Sequence, residues 1–180
     1  NSDKDVVVFT SRSGKELLNA NGLMLGEKNL ILTSKLFDRV HYLLSYIFRT
    51  LSSIIKLIKM NRENVTFYSS SDYFPDVIPA YLFKSKKNNW IQVTHHIYPN
   101  WKTRSGNKLI NFVAYYLQNF SFYLIKKKAD KIILVNNLVK KELINKGFSQ
   151  KKIYVSCNGI DLEYLKKIKK AKKKDMMQYF

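Results

Sequence analysis

Trp90-Ile91-Gln92-Val93-Thr94 and Ile132-Ile133-Leu134-Val135 are two short, mostly apolar runs, separated by a long helical pattern from Lys108 to Lys128. Short apolar runs with polar residues at their ends are typical of buried strands, whereas apolar residues at three- and four-residue spacing indicate a helix. The same alternation of strand and helix patterns extends in both directions along the chain. It predicts an α/β domain built on a doubly wound parallel sheet.

The patterns outside this central stretch keep the same order. Ser34 is predicted to cap a long helix whose apolar period ends at Ile58, and Gly147 is predicted to end the helix that begins at Leu138. Further strands are predicted at residues 5–10, 29–33, 65–68 and 153–156, with short helices at 15–21 and around 81–83 and a basic helix from about residue 161.

Length, charge and missing motifs exclude several kinds of function. The chain has 180 residues, the length of one ordinary domain, and a net charge of +19, which implies a polyanionic neighbour such as nucleic acid or an anionic membrane surface. Its single cysteine, Cys157, excludes an internal disulfide framework and a multi-cysteine zinc site. The sequence contains no glycine-rich phosphate loop and no G-x-S-x-G elbow, so ATPase, dinucleotide-binding and hydrolase functions lack their motifs.

Three apolar or basic stretches bear on membrane contact. The stretches 41–60 and 109–125 are interrupted by polar or charged residues, and they predict helices with a wide apolar face rather than membrane spans. Residues 166–174 form a lysine-rich run. Such a run can attract phosphate groups of lipid or nucleic acid, or it can be a solvated helix or linker, and both interpretations stay open.

Polar residues that follow predicted strands are the candidate site residues, because ligands of open α/β sheets bind at the carboxyl ends of the strands. Ser71 and Asp72 follow the third strand, and Asp76 stands four residues after Asp72. These side chains can recognise substrate hydroxyls or cap the next helix, and both roles can hold together. Asn136 and Asn158-Gly159 follow later strands in the same way.

His95 and His96 stand at the end of the fourth predicted strand. A histidine there can act as a hydrogen-bond donor or proton relay near neutral pH, or it can be a loop residue with a structural partner. Because side chains of a strand alternate between faces, only one of the two is expected to point at a cleft. No spacing of histidine and cysteine in the chain supports a metal site.

Several of these motifs, taken together in their order and spacing, indicate a protein family more specifically than any one of them alone. Ala129-Asp130-Lys131-Ile132-Ile133-Leu134-Val135-Asn136, followed at 152–161 by a strand that ends in Asn158-Gly159-Ile160-Asp161, resembles the end of the N-terminal domain of a family 4 glycosyltransferase. His95-His96-Ile97-Tyr98-Pro99 resembles the family's strand ending in H-D-l-x-P, and Ser71-Asp72-Tyr73-Phe74-Pro75-Asp76 resembles its acceptor-side segment. The resemblance covers roughly residues 65–165.

The resemblance implies a GT-B fold, in which two Rossmann-like domains enclose the active site. The N-terminal domain of the family binds the acceptor, and the C-terminal domain binds the nucleotide sugar. Residues 1–163 are then an acceptor-side Rossmann-like domain without the family's first strand, which would leave a gap in the sheet. Residues 164–180 are then a basic interdomain linker and the start of a donor domain. On this interpretation the chain is a fragment and is expected to be inactive alone.

The resemblance also implies roles for the candidate residues. His95 matches the family's cleft histidine, which contacts the transferred sugar, so it is the predicted catalytic residue. His96 stands where the family has aspartate. No bound cofactor and no metal are expected, and the nucleotide sugar is a co-substrate. The predicted substrate-binding residues are Ser71, Asp72, His96, Asn136, Asn158 and Gly159.

Together these observations favour the acceptor-binding domain of a retaining, hexosyl-type glycosyltransferase that acts on a lipid-linked or cell-envelope glycan. The basic charge and apolar helices predict a cytoplasmic protein with peripheral attachment to the inner face of an anionic membrane. The alternative is a basic nucleic-acid-binding α/β module. It is disfavoured because no helix-turn-helix or RNP signature is present and the aromatic residues fall within apolar periods. A third alternative is an α/β scaffold without activity.

Overall fold

The computed structural model describes residues 6–22, 29–34, 42–60 and 63–157. Within them strands and helices alternate, which confirms the predicted α/β class. A 3₁₀ helix, Gln150–Lys152, precedes the last strand. The elements are β1 Val8–Ser11, α1 Arg12–Ala20, β2 Leu30–Ser34, α2 Tyr42–Ile58, β3 Thr66–Ser69, α3 Phe74–Phe83, β4 Asn89–Thr94, α4 Lys108–Lys128, β5 Lys131–Leu134, α5 Asn137–Asn145 and β6 Ile153–Val155.

The described strands form two parallel sheets. β1 pairs with β2, and β3, β4, β5 and β6 form a four-stranded sheet in chain order. Between the described strands no ladder joins one sheet to the other. The two parts are connected by packing of α2 against β2 on one side and against α3 on the other.

The main core lies between the four-stranded sheet and its helices. Parallel strands in chain order need right-handed crossovers, so α3, α4 and α5 cover the same face of this sheet. Trp90 of β4 is fully buried there, and its backbone N–H donates to Asp130 Oδ2 at 2.7 Å. Lys84 Nζ lies 3.3 Å from the same carboxylate oxygen. Asp130 therefore ties the beginning of β4 to the beginning of β5 and to the end of α3.

Local signals placed most of the elements correctly. The predicted bounds of α4 are confirmed, and Asn107 caps this helix by accepting from the N–H of Leu109 at 2.9 Å. Gly147, which follows the C-cap residue Lys146 of α5, has φ +79°, the left-handed conformation that glycine adopts at a helix end. Across the described residues, no helix combines the length and the hydropathy that crossing a bilayer requires.

Three of the predicted helix starts are wrong, and the first of these helices, α1, begins at Arg12, three residues before its predicted start. Ser34 lies in β2 and does not cap α2, which begins at Tyr42. α3 begins at Phe74, well before the predicted helix, because Pro75 occupies the first turn, where a backbone N–H has no helical partner. The lysine-rich run at 166–174, the basic helix predicted from residue 161 and the predicted linker at 164–180 lie outside the described residues.

Candidate functional site

The carboxyl ends of β3, β4 and β5 meet at one edge of the four-stranded sheet. Ser69 at the end of β3 pairs with Gln92, and Thr94 at the end of β4 pairs with Leu134. Because all the strands are parallel, the residues that follow them share this edge. It therefore carries five of the predicted site residues: Ser71, Asp72, His95, His96 and Asn136. Asn158 and Gly159 lie outside the described residues.

Ser71 orders the turn between β3 and α3. Its hydroxyl donates to Asp76 Oδ2 at 2.7 Å and accepts from the Tyr73 N–H at 3.4 Å. Tyr73 is the N-cap residue of α3, and its side chain makes no capping bond. The interpretation in which Ser71 or Asp72 occupies the cap position is therefore wrong. Asp72 is free to turn towards α4.

Asp72 is the most deeply buried carboxylate of this edge, with 3% of its surface exposed. Its Oδ2 accepts from Gln118 Nε2 at 2.6 Å. Burial raises the pKa of Asp72 above its ordinary value, while the Gln118 hydrogen bond and the nearby His96 and His95 lower it. The net shift is upward, so the protein holds this carboxyl group in an environment that disfavours its charge.

Gln118 joins three segments of the site. Besides Asp72, its Nε2 donates to the carbonyl of His96 at 3.1 Å, and its Oε1 accepts from the Tyr98 N–H at 2.8 Å. Gln118 was not predicted as a site residue. From the sequence it only interrupts the apolar pattern of α4, and nothing local connects it to Asp72, which lies 46 positions earlier.

A cleft of about 170 Å³ opens beside Asp72, between the N-terminal halves of α2 and α4 and the start of α3. The hydroxyls of Tyr73 and Tyr98 are hydrogen-bonded to each other on its wall. Burial, together with this bond, raises the pKa of Tyr73, so its phenol stays neutral at physiological pH. The lining residues are Tyr46, Asp72, Tyr73, Phe74, Tyr98, Arg104, Ile110, Asn111, Ala114, Leu117, Gln118 and Ser121.

Two side chains fix the loop that closes one side of the cleft. The Arg104 guanidinium lies 4.6 Å from the centre of the Tyr98 ring, within cation–π range. Asn111, which is buried in α4, donates to the carbonyl of Ser105 at 2.9 Å. Arg104 therefore lines the cleft from a loop that is fastened to α4, and it supplies the cleft with a positive charge.

Ser121 stands out among the lining residues. It is fully buried, and its hydroxyl oxygen has no hydrogen-bond partner among the described residues. Two further atoms, Thr94 Oγ1 and Gln92 Oε1 of β4, are also buried without a hydrogen-bond partner among the described residues. A buried polar atom without a partner is costly and uncommon, and it marks a place where water or a ligand can bind. Ser121 is the one of these three residues that is among the residues lining the cleft.

The predicted histidines lie outside the cleft. Both side chains are exposed, and neither of them lines this cleft. His95 Nε2 lies 3.0 Å from the Ser70 carbonyl oxygen, so this nitrogen carries the proton if the bond forms. The His96 ring packs beside Tyr98, with 5.1 Å between ring centres.

Asn136 is the N-cap residue of α5. Its Oδ1 accepts from the Val139 N–H at 2.9 Å and caps α5. Among the predicted site residues that the structure describes, Asp72 alone lines the cleft, and the functional roles of all of them remain predictions. In the part of the chain that the structure describes, no three His, Cys, Asp or Glu side chains lie where they could hold a metal ion.

The raised pKa of Asp72 predicts how stability responds to pH. Below about pH 3.8, the ordinary pKa, the group is protonated whether or not the chain is folded. As the pH rises through the higher folded pKa, the buried carboxyl must ionise and its stabilising contribution is lost. We therefore expect Asp72→Asn to gain stability relative to wild type with rising pH, by at most about 1.4 kcal/mol per pH unit. Urea unfolding at several pH values measures this, and parallel profiles would contradict it.

The comparison with protein families agrees with this geometry. The family described as Glycosyltransferase Family 4 matches residues 2–164, a range that includes all the described strands and the whole cleft. A search of curated proteins found no match. The mixed α/β fold with parallel sheets is consistent with the N-terminal half of a GT-B fold. The chain belongs to glycosyltransferase family 4.

Proposed function

We propose that this chain binds the acceptor in a retaining glycosyltransferase that moves a hexose from a nucleotide sugar to a lipid-linked or cell-envelope glycan. The observation that carries the proposal is the cleft beside Asp72, at the edge of the sheet where α/β proteins bind their ligands. Family membership supports the transfer of a sugar. The donor is expected to bind elsewhere, on a second domain.

The cleft suits a sugar ring because it combines two kinds of surface. A pyranose has an apolar face of C–H groups and a rim of hydroxyls. The aromatic rings of Tyr46, Phe74 and Tyr98 can pack against the apolar face of the sugar. Asp72 and Gln118, which are buried and line the cleft, can exchange hydrogen bonds with the rim of hydroxyls, and the buried Ser121 hydroxyl, which has no described partner, is a further candidate. Few precisely placed polar groups on a largely apolar wall are typical of small-molecule sites.

The proposed reaction is a displacement at the anomeric carbon of the donor sugar. A bond forms between the acceptor hydroxyl oxygen and this carbon, and the bond from the carbon to the phosphate oxygen breaks. The nucleoside diphosphate leaves with the electron pair from the same face that the acceptor oxygen enters, so the anomeric configuration is retained, and the acceptor proton passes to the departing phosphate oxygen. Asp72 and Gln118 orient the acceptor, while His95, outside the cleft on the same edge, hydrogen-bonds the transferred sugar.

Ser121→Ala tests the cleft without damaging the fold. Its hydroxyl has no described partner, so its removal should leave the free energy of unfolding unchanged or slightly higher. Octyl glycosides of glucose, galactose, mannose and N-acetylglucosamine are the probes, with binding followed by saturation-transfer NMR. We expect at least one to bind, and we expect Ser121→Ala to weaken it about 2- to 12-fold, the value of one hydrogen bond.

Ser53→Ala is the matched control, because Ser53 is also buried in a helix but does not line the cleft. It should leave glycoside binding unchanged. The proposal is wrong if none of the glycosides binds, or if Ser121→Ala and Ser53→Ala bind them equally well.

A further inference from the structure

α4 has an apolar stripe on the side that faces away from the core. Leu109 is 72% exposed, and Phe112, Tyr116, Phe120 and Tyr123 are each between 41% and 59% exposed. Their three- and four-residue spacing puts them on one side of the helix, over about 21 Å of its length. The aromatic residues of α4 that fall within its apolar period therefore include four that are exposed. A stripe this long on a globular domain marks an interaction surface.

Neighbouring rings extend the stripe at its N-terminal end. Trp101 packs edge-on against Phe112, with 5.2 Å between ring centres, and Phe112 lies 4.5 Å from Tyr116. These contacts hold the rings together in an exposed position. The stripe, defined as Trp101, Leu109, Phe112, Tyr116, Phe120 and Tyr123, is thus a preformed surface.

The charge around the stripe has one sign. No aspartate or glutamate occurs between Asp76 and Asp130. Lys102 Nζ lies 5.6 Å from the centre of the Trp101 ring at one end, and Lys127 Nζ lies 5.8 Å from that of Tyr123 at the other. Lys126 and Lys127 are exposed in the last turn of α4. The stripe therefore begins and ends in positive charge.

We infer that the stripe docks on an anionic lipid bilayer, with α4 lying in the plane of the interface. Aromatic and aliphatic side chains flanked by lysines match the acyl boundary and the negative headgroups of such a surface. Self-association through the stripe would bring the lysines of two copies together. A nucleic-acid strand needs cations spaced along its phosphates, whereas the lysines here lie at the ends of the rings.

The helix that docks, α4, also forms one wall of the cleft. Asn111, Ala114 and Gln118 of α4 line the cleft from the opposite side of the helix. An α-helix with its side chains is about 10–12 Å across, so docking brings the cleft about one helix diameter from the headgroups. There it can reach the sugar of an acceptor whose tail stays in the bilayer. This extends the proposed function, but vesicles without any glycan test the surface separately from sugar binding.

Vesicle sedimentation of the 180-residue chain is the test, with phosphatidylcholine vesicles that contain or lack phosphatidylglycerol. We expect binding to the anionic vesicles that weakens at high salt, because salt screens the lysine attraction. The double variant Phe112→Ser, Tyr116→Ser should lower the partition coefficient about tenfold or more, since two rings no longer enter the bilayer. Both residues are on the surface, so the circular dichroism spectrum should not change.

Leu51→Ser, Ile55→Ser on α2 is the matched control, because both residues are similarly exposed and lie on a different helix. Its partition coefficient should stay within about twofold of wild type. The inference is overturned if wild type does not bind anionic vesicles, or if the α4 variant binds as wild type or the α2 variant loses as much. A dimer or an oligonucleotide complex that only the α4 substitutions abolish would also overturn it. None of these outcomes changes the octyl glycoside result, which depends on Ser121.

Discussion

His95→Ala is expected to lower kcat of the complete transferase about 30- to 1000-fold, with a smaller change in KM. The end of β4, a strand with buried residues on both sides of the sheet, fixes the position of His95. If His95 hydrogen-bonds the transferred sugar mainly as charge develops, its loss costs about 2–4 kcal/mol in the transition state. A loss confined to the transition state lowers kcat more than it raises KM.

Steady-state kinetics with the nucleotide sugar and an acceptor, in an enzyme that includes the donor-binding domain, measures this effect. The stability of the chain should hardly change, since the contact of His95 with the Ser70 carbonyl is exposed. His96→Ala is the control and should have less effect. Full activity of the His95 variant with a loss in the His96 variant would reverse the assignment, and full activity of both would make the histidines structural.

Trp90→Ala should lower the free energy of unfolding by about 3–5 kcal/mol. The indole ring is fully buried in the core cluster between the four-stranded sheet and its helices. Its Nε1 donates to Ser69 Oγ at 3.0 Å. Alanine would leave both a large cavity and a buried serine hydroxyl that has lost one of its partners. Urea unfolding followed by circular dichroism measures the loss.

Trp90→Phe separates the ring from the hydrogen bond. Phenylalanine fills most of the volume but cannot donate to Ser69, so we expect a cost of about 1–2 kcal/mol. Equal costs for the alanine and phenylalanine variants would contradict the assignment of most of the energy to packing. The Ser121→Ala variant is a reference that should unfold like wild type or slightly later.

Local sequence signals predicted most of the fold because each element carries its own marker. Asn107 and the lysines of the last turn bracket α4, and Gly147 ends α5. The signals failed where tertiary context decided. α3 begins at Phe74 instead of near residue 81, since Pro75 suits a first turn, and Ser34 pairs in β2 instead of capping α2. The separation of the described strands into two ladders was not predicted, because strand pairing depends on residues far apart in the sequence.

The site was harder to predict than the fold. Asp72 could be proposed as a site residue because it follows a strand, and in the structure it lines the cleft. Gln118 and Ser121 could not, because both occur in the middle of an apolar helix and become part of a site only when α4 packs beside the end of β3. The cleft itself depends on side chains from several elements far apart in sequence. Residue type and local spacing do not predict which distant side chains lie next to each other in the folded protein.

The two sheets should differ in how readily their amides exchange with solvent. The ladders of β4 and β5 are flanked by strands on both sides and by the buried cluster around Trp90. The side chains of β1 are only half-buried, and its ladder has a single described partner, β2. A two-stranded ladder is marginal by itself, so β1 and β2 can open while the other sheet stays closed. Slow exchange is therefore expected to concentrate in β4 and β5.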